Sequence, residues 1–379
     1  MVPVLELQEI VEEARARTGV PGVAAGLLAA GETAFAADGV LELGADERVL
    51  PETPFRVASI SKPFTASLAL SCLTLDDRLR GLLSHTAGLR CESARPLPEG
   101  AEGLFSYSNA GYWAAGDACV KACGVPFDEA MRTRILEPLG LAATGYDEPP
   151  APARGHLQEG ETGQRPWPHD AYPPERRPSG GLWSTAADLL TFAAHHLGGP
   201  GPLPEEARAA MRQPQSQALG AGYGLGWWSR DAGGRAAFDH EGSVAGYQSL
   251  LLLVPEEELA LAVLTNSWRG SGLVRRVVER LGLGLRGDAA VAGPAAIAGR
   301  YVLDDSSATV ETAGDGLRVQ DSETDPVTGS RIDRPAFTAE PLGGGVYGFA
   351  GGALLSHRLD FPRPGFARIG WVVRPRVGP

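Results

Sequence analysis

The chain has 379 residues, 43% of them hydrophobic, with 50 glycines, 30 prolines and a net charge of −12. That length buries a large core and suits one large domain joined to a smaller one. The acidic balance excludes a nucleic-acid partner, which needs a basic face, and the even spread of Gly and Pro fits a loop-rich enzyme rather than a disordered tract.

Apolar runs such as 249–255 are strand-length, so no membrane span is expected. The start, Met1-Val2-Pro3-Val4-Leu5-Glu6, has no basic stretch leading into an apolar one. No signal peptide is therefore expected, and the expected compartment is the cytoplasm. Cys72, Cys91, Cys119 and Cys123 form no C-x-x-C pair, and the seven histidines show no zinc spacing. Free thiols are expected, with neither a metal nor a cofactor. Oligomeric state is not readable.

In chain order, an amphipathic helix is predicted over 5–17, ended by Gly19, then strands over 23–28 and 33–37 joined at Gly31-Glu32. Helices follow over 59–70, 112–123, 127–135, 185–196 and 204–211. Asp239 to Gly242 lead into a hairpin of strands 247–254 and 259–266, and a closing helix spans 273–281. The Gly/Ala/Pro-rich stretch after it reads as a linker. The domains expected are 1–285, a linker 286–299, and a small antiparallel β domain 300–379, whose short alternating segments are separated by Gly, Asp and Pro.

Three motifs carry chemistry. The first is Ser59-Ile60-Ser61-Lys62. A serine hydroxyl needs a base to attack, and residues i and i+3 share a helix face, so Lys62 reaches the Ser59 oxygen. Burial and nearby positive charge favour a lysine that accepts a proton. A backbone N–H at a helix start suits an oxyanion. The chain has only two lysines, Lys62 and Lys121, so a chance S-x-x-K is rare. The second motif is Tyr107-Ser108-Asn109. Here the tyrosine is a candidate acid or base and Asn109 a candidate partner for Lys62 and a substrate carbonyl. The third is His240-Glu241-Gly242, where the Ser243 N–H is a second oxyanion donor and His240 supplies positive charge or a hydrogen bond. Taken singly, each motif also fits a structural role: a capping serine with a solvated lysine, a turn tyrosine with a capping Asn, and a half-exposed turn histidine.

Together, S-x-x-K, Y-x-N and [KH]-x-G in this order resemble the serine β-lactamase and penicillin-recognising family. Leu82-Leu-Ser-His-Thr-Ala-Gly-Leu89, Pro178-Ser-Gly-Gly-Leu-Trp-Ser-Thr-Ala-Ala-Asp-Leu189, Tyr223-Gly-Leu-Gly-Trp227, Gly242-Ser-Val-Ala-Gly-Tyr247 and Leu264-Thr-Asn266 resemble its class C-like branch, which includes esterases and D-aminopeptidases. The resemblance covers roughly 5–285. It implies an α+β fold, an antiparallel sheet flanked by helices with an all-helical cluster. It also implies acylation of Ser59, with Tyr107 paired to Lys62, followed by transfer to water or another nucleophile. His85 is expected to be structural.

Two departures stand out. The stretch from Ser59 to Ser84 is short, and Glu241 sits where the family has Thr, Ser or Gly. A carboxylate there repels a substrate carboxylate unless it turns to solvent. The expected activity is hydrolysis of small-molecule esters, amides or peptides. The family also contains β-lactamases, D,D-peptidases, peptide-cyclising thioesterase-like enzymes and catalytically idle peptide binders.

Overall fold

The computed structural model describes residues 4–160, 163–167, 172–286, 297–303, 306–314, 316–324, 331–333, 336–343, 346–348, 358–369 and 372–377. The linker expected over 286–299 lies mostly outside them. The chain forms two compact units: Met1–Leu75, Tyr112–Gln213 and Leu225–Leu285, and then Asp76–Gly111, Pro214–Gly224 and Arg286–Pro379.

The first unit opens with α1 (Val4–Thr18). Leu7, Ile10, Val11 and Ala14 bury one face at helical spacing. Gly19, at φ +67°, ends the helix with its N–H on the Arg15 carbonyl. Strands β1 (Gly22–Ala29) and β2 (Glu32–Gly39) follow. Ala30 and Gly31 both take positive φ, the two-residue turn that matches strand twist. Within the first unit the sheet continues with β3 (Trp228–Ala232), β4 (Ala236–Val244), β5 (Tyr247–Val254) and β6 (Leu259–Thr265). Its antiparallel order is β2-β1-β6-β5-β4-β3.

Leu250 to Val254 and Ala260 to Leu264 are buried without alternation, because helices cover this part of the sheet. A helix over Gly270–Arg280 packs with α1 against it, and one over Ala186–His196 packs on β1, β5 and β6. Each buried leucine contributes roughly 1.5–3 kcal/mol. The Ala186–His196 helix starts on Thr185, whose hydroxyl accepts from the Asp188 N–H at 3.2 Å. These strands and helices meet the sequence expectation closely.

Two helices matter for chemistry. The first, α2, spans Ser61–Cys72, after a 3-10 turn over Ala58–Ile60. The helix expected from 59 therefore begins two residues later. Ala58 holds φ at +49°, a left-handed conformation that costs a non-glycine residue about 1 kcal/mol or more. The second, α4, spans Asn109–Cys123. It starts earlier than the apolar pattern at 112 suggested, and its first residues belong to the second unit. Between them, α3 (Asp77–Leu83) is short, capped by the Asp76 carboxylate on the Leu79 N–H at 2.7 Å. The short stretch from Ser59 to Ser84 noted in the sequence thus holds the end of the 3-10 turn, α2 and this one short helix.

The second unit contains a small closed antiparallel barrel. Strands follow the order Ser306–Ala313, Gly299–Leu303, Val372–Val377, Phe366–Ile369, Arg358–Arg363, Val346–Gly348, Phe337–Gly343, Gly316–Thr324. Pairing of Ser306–Ala313 with Gly316–Thr324 closes the ring, so the expected β domain has few free edges. Tyr301, Val310, Val319, Leu359 and Phe361 are among the residues filling it.

The barrel also buries an ion pair. Arg368 Nη1 lies 2.9 and 2.6 Å from the Asp360 oxygens, with both side chains almost wholly out of water. Burial raises the Asp360 carboxyl and lowers the Arg368 guanidinium, each against the pull of its partner. Desolvation therefore outweighs attraction, and losing one partner strands the other charge. Asp360→Ala should destabilise the protein by about 3–5 kcal/mol in denaturant titration. A loss under about 1 kcal/mol would contradict the buried pairing.

Candidate active site

The Ser59 turn is held from two sides within the first unit. The Val57 N–H donates to the Leu182 carbonyl at 2.9 Å, and the Leu182 N–H to Ser61 Oγ at 3.3 Å. Phe55 and Arg56 pair with Ser184 and Trp183. On the other side, Ser249 Oγ donates to the Val57 carbonyl at 3.1 Å. A Cβ on Gly242 would fall 2.2 Å from that carbonyl and 2.2 Å from Ser249 Oγ. The glycine of the third motif is thus required by close approach of β4 to the turn.

Ser59 is half-buried, while Lys62 is 0% exposed. Lys62 Nζ lies 3.1 Å from Ser59 Oγ and donates to the Ser179 carbonyl at 2.8 Å. It also stands 5.5 Å from the centre of the Tyr112 ring. A buried amine is stable only with such partners. Trp113 Nε1 donates to Ser179 Oγ at 2.8 Å, and Thr65 Oγ1 donates to the Pro178 carbonyl at 2.7 Å, so the segment holding the amine is itself held. The motif reading found Ser59 and Lys62 but gave no role to Ser179 or Tyr112. The signal for Ser179 was its place in the Pro178-Ser-Gly-Gly segment.

Alternation along β4 separates the third motif into two faces. His240 shares a face with Gly242. It is fully buried, with Nδ1 2.7 Å from the Glu241 carbonyl. Desolvation, then the nearby charge of Lys62, pushes its pKa down to about 3. His240 is therefore neutral near pH 7 and offers a hydrogen bond rather than positive charge.

Asp239 and Glu241 take the other face, with Arg230 from β3. Arg230 meets Asp239 in two 2.6 Å contacts and Glu241 at 3.5 Å. Glu241 is only 6% exposed. Its carboxylate is committed to Arg230 and does not turn to solvent. Ser243, next along the strand, is exposed at the strand's end, and its Oγ accepts from Gln248 Nε2 at 2.8 Å.

The second motif lies in the second unit. Tyr107 is 4% exposed, its ring 4.3 Å from that of His85. His85 Nδ1 accepts from the Ser108 N–H, and the His85 carbonyl accepts from the Ser106 N–H, both at 3.0 Å. His85 thus shapes the backbone around Tyr107, the structural role expected of it. Asn109 Nδ2 donates to the Glu92 carboxylate, while its Oδ1 is buried without a hydrogen bond among the described residues.

The barrel reaches this same segment. Arg368 Nε donates to the Phe105 carbonyl at 3.1 Å and the Val373 N–H to Ser106 Oγ at 3.3 Å. Sequence reasoning treated residues 300–379 as separate and missed these contacts, for which it carries no local signal.

An antiparallel sheet packed against a helix-start serine backed by a buried lysine defines the penicillin-recognising class of serine hydrolases. The chain belongs to the Beta-lactamase family, whose profile matches residues 7–283. Among relatives, penicillin-binding protein 4 of Amycolatopsis lactamdurans is 28% identical over 321 residues, covering 68% of this chain and 84% of that protein. SurE superposes with a TM-score of 0.74 at 26% identity, covering 99% of both chains, and has also been solved with D-Leu. The D-amino acid amidase of Ochrobactrum anthropi SV3 shares the fold, with a TM-score of 0.61 at 23% identity over 73% of this chain and 97% of that one.

Four buried histidines give a pH prediction. Desolvation lowers His156, His195, His196 and His240 below the ordinary value of 6.5. Below pH 6.5 the unfolded chain gains protons that the native state resists, so stability falls as pH falls, by up to about 1.4 kcal/mol per pH unit per histidine. Melting temperature should drop steadily between pH 7 and pH 5. A flat profile over that range would contradict the neutral, buried assignment.

Proposed function

We propose that the protein is a serine acyl hydrolase that forms an acyl-enzyme on Ser59 from esters, amides or peptides of D-amino acids. The observation carrying this reading is the buried Lys62 amine 3.1 Å from Ser59 Oγ. In the reaction, Ser59 Oγ attacks the carbonyl carbon as its proton passes to Lys62 Nζ. The N–H groups of Ser59 and Ser243 stabilise the oxyanion. The leaving amine or alcohol takes the proton, and water or an amine nucleophile then releases the acyl group.

Tyr107 is assigned to the proton relay on the family's pattern. Asn109 and His240 are assigned to hydrogen bonds on the substrate side, again on the family's pattern. The preference for D-configured substrates is supported by the relatives, since SurE was solved with D-Leu and an amidase of the same fold is named for D-amino acids.

A panel of D- and L-amino-acid p-nitroanilides and p-nitrophenyl esters, with nitrocefin alongside, tests the proposal. Turnover should favour the D series at least tenfold. Ser59→Ala should remove it, and Lys62→Ala should lower kcat/KM by roughly 10³-fold with the fold intact. Equal turnover of L and D substrates would remove the stereochemical part. Unchanged activity in Ser59→Ala would remove the whole.

A further inference from the structure

The turn that meets Lys62 spans Pro174–Ser179, and two helices of the first unit grip its end. The first is α2. Thr65 Oγ1 donates to the Pro178 carbonyl at 2.7 Å, and Lys62 Nζ, one helical turn earlier, donates to the Ser179 carbonyl at 2.8 Å. The second is the Tyr112–Cys123 part of α4. Trp113 Nε1 donates to Ser179 Oγ at 2.8 Å, and that hydroxyl donates in turn to the Arg176 carbonyl at 3.0 Å. The Arg176 guanidinium carbon lies 5.4 Å from the centre of the Trp113 ring. Gly116 shares a helix face with Trp113 and lets α4 come close, since a Cβ there would fall 2.3 Å from Pro178 Cγ.

We propose that Trp113 is a positioning residue for acylation: through the Ser179 hydroxyl it aims the Ser179 carbonyl, which orients the Lys62 amine toward Ser59. The proposal rests on the acyl-enzyme reading above. A neutral amine has two N–H groups and one lone pair. With one N–H directed to the Ser179 carbonyl, the lone pair can turn to Ser59 Oγ, 3.1 Å away. As Oγ bonds to the substrate carbonyl carbon, its proton moves onto that lone pair, and Lys62 becomes an ammonium out of water. The bond to the Ser179 carbonyl is then charge-assisted and about twice as strong as a neutral one. A carbonyl held in this direction therefore favours the transition state over the ground state, so its aim governs rate more than binding. Gly116 and Thr65 seat the turn through Pro178. The contact that α4 makes with the side chain of Ser179 itself comes from Trp113.

Rapid-quench acylation of the full chain over a range of activated amino-acid ester concentrations tests this on the wild type, Trp113→Phe, Ser179→Ala and the double variant. Phe keeps an aromatic ring beside Arg176 and removes the N–H; Ala keeps the carbonyl and removes the hydroxyl. The maximal acylation rate should fall about tenfold in each single variant, with the half-saturating concentration unchanged within about twofold. The double variant should be no slower than the slower single one, because both changes cut the same hydrogen bond. Melting temperature reports folding in parallel, and the rate of either folded single variant decides the outcome. Unchanged rates in folded variants would overturn the proposal, as would a loss carried by the half-saturating concentration or losses that multiply in the double variant. A wild-type protein left unacylated on Ser59 would overturn the acyl-enzyme reading as well; wild-type acylation matched by both variants would overturn the role of Trp113 alone.

Discussion

The first unit is organised around one amine kept out of water. Lys62 Nζ is wholly buried, where an unsatisfied polar group costs several kcal/mol, and it is met by Ser59 Oγ and the Ser179 carbonyl. Each partner is in turn fixed. Ser59 follows a strained residue, Ala58, held by hydrogen bonds through Val57, and Ser179 is tied to Trp113. His240 nearby is neutral, so a second cation does not oppose the amine. Strand β4 comes so close to the turn that only glycine fits at position 242.

The second unit has its own keystone in the buried Arg368–Asp360 pair. One end of the pair receives the Leu219 N–H at 2.8 Å, and the other donates to the Phe105 carbonyl. Together with His85, the barrel fixes the backbone on both sides of Tyr107. A stretch read as an appended β domain thus shapes the segment that carries the second motif.

Much of this was legible in the sequence. Apolar periodicity located the long helices and the leucine-rich hairpin, because burial forces those patterns. The Ser59–Lys62 pairing was legible because it is local, three residues apart on one helix face. The Pro178-Ser-Gly-Gly segment marked Ser179 but not its role, since its carbonyl meets Lys62 from 117 positions away and a backbone acceptor leaves no mark in residue type. The commitment of Glu241 to Arg230 was missed for a related reason: ion pairs between strands have no period to betray them. Helix starts were misjudged by two or three residues, since Ala58 acts through backbone conformation and Ser108, whose Oγ accepts from the Gly111 N–H, through capping rather than hydropathy.

The account turns on Ser59 becoming acylated with Lys62 as its base. The most direct measurement is rapid-quench mass spectrometry of the protein mixed with an activated D-amino-acid ester, followed by peptide mapping. The account predicts one acyl group on the Ser59 peptide of the wild-type protein within the first turnover, and none on Lys62→Ala over the same interval. Acylation at another residue, or equally fast acylation of Ser59 without Lys62, would contradict it.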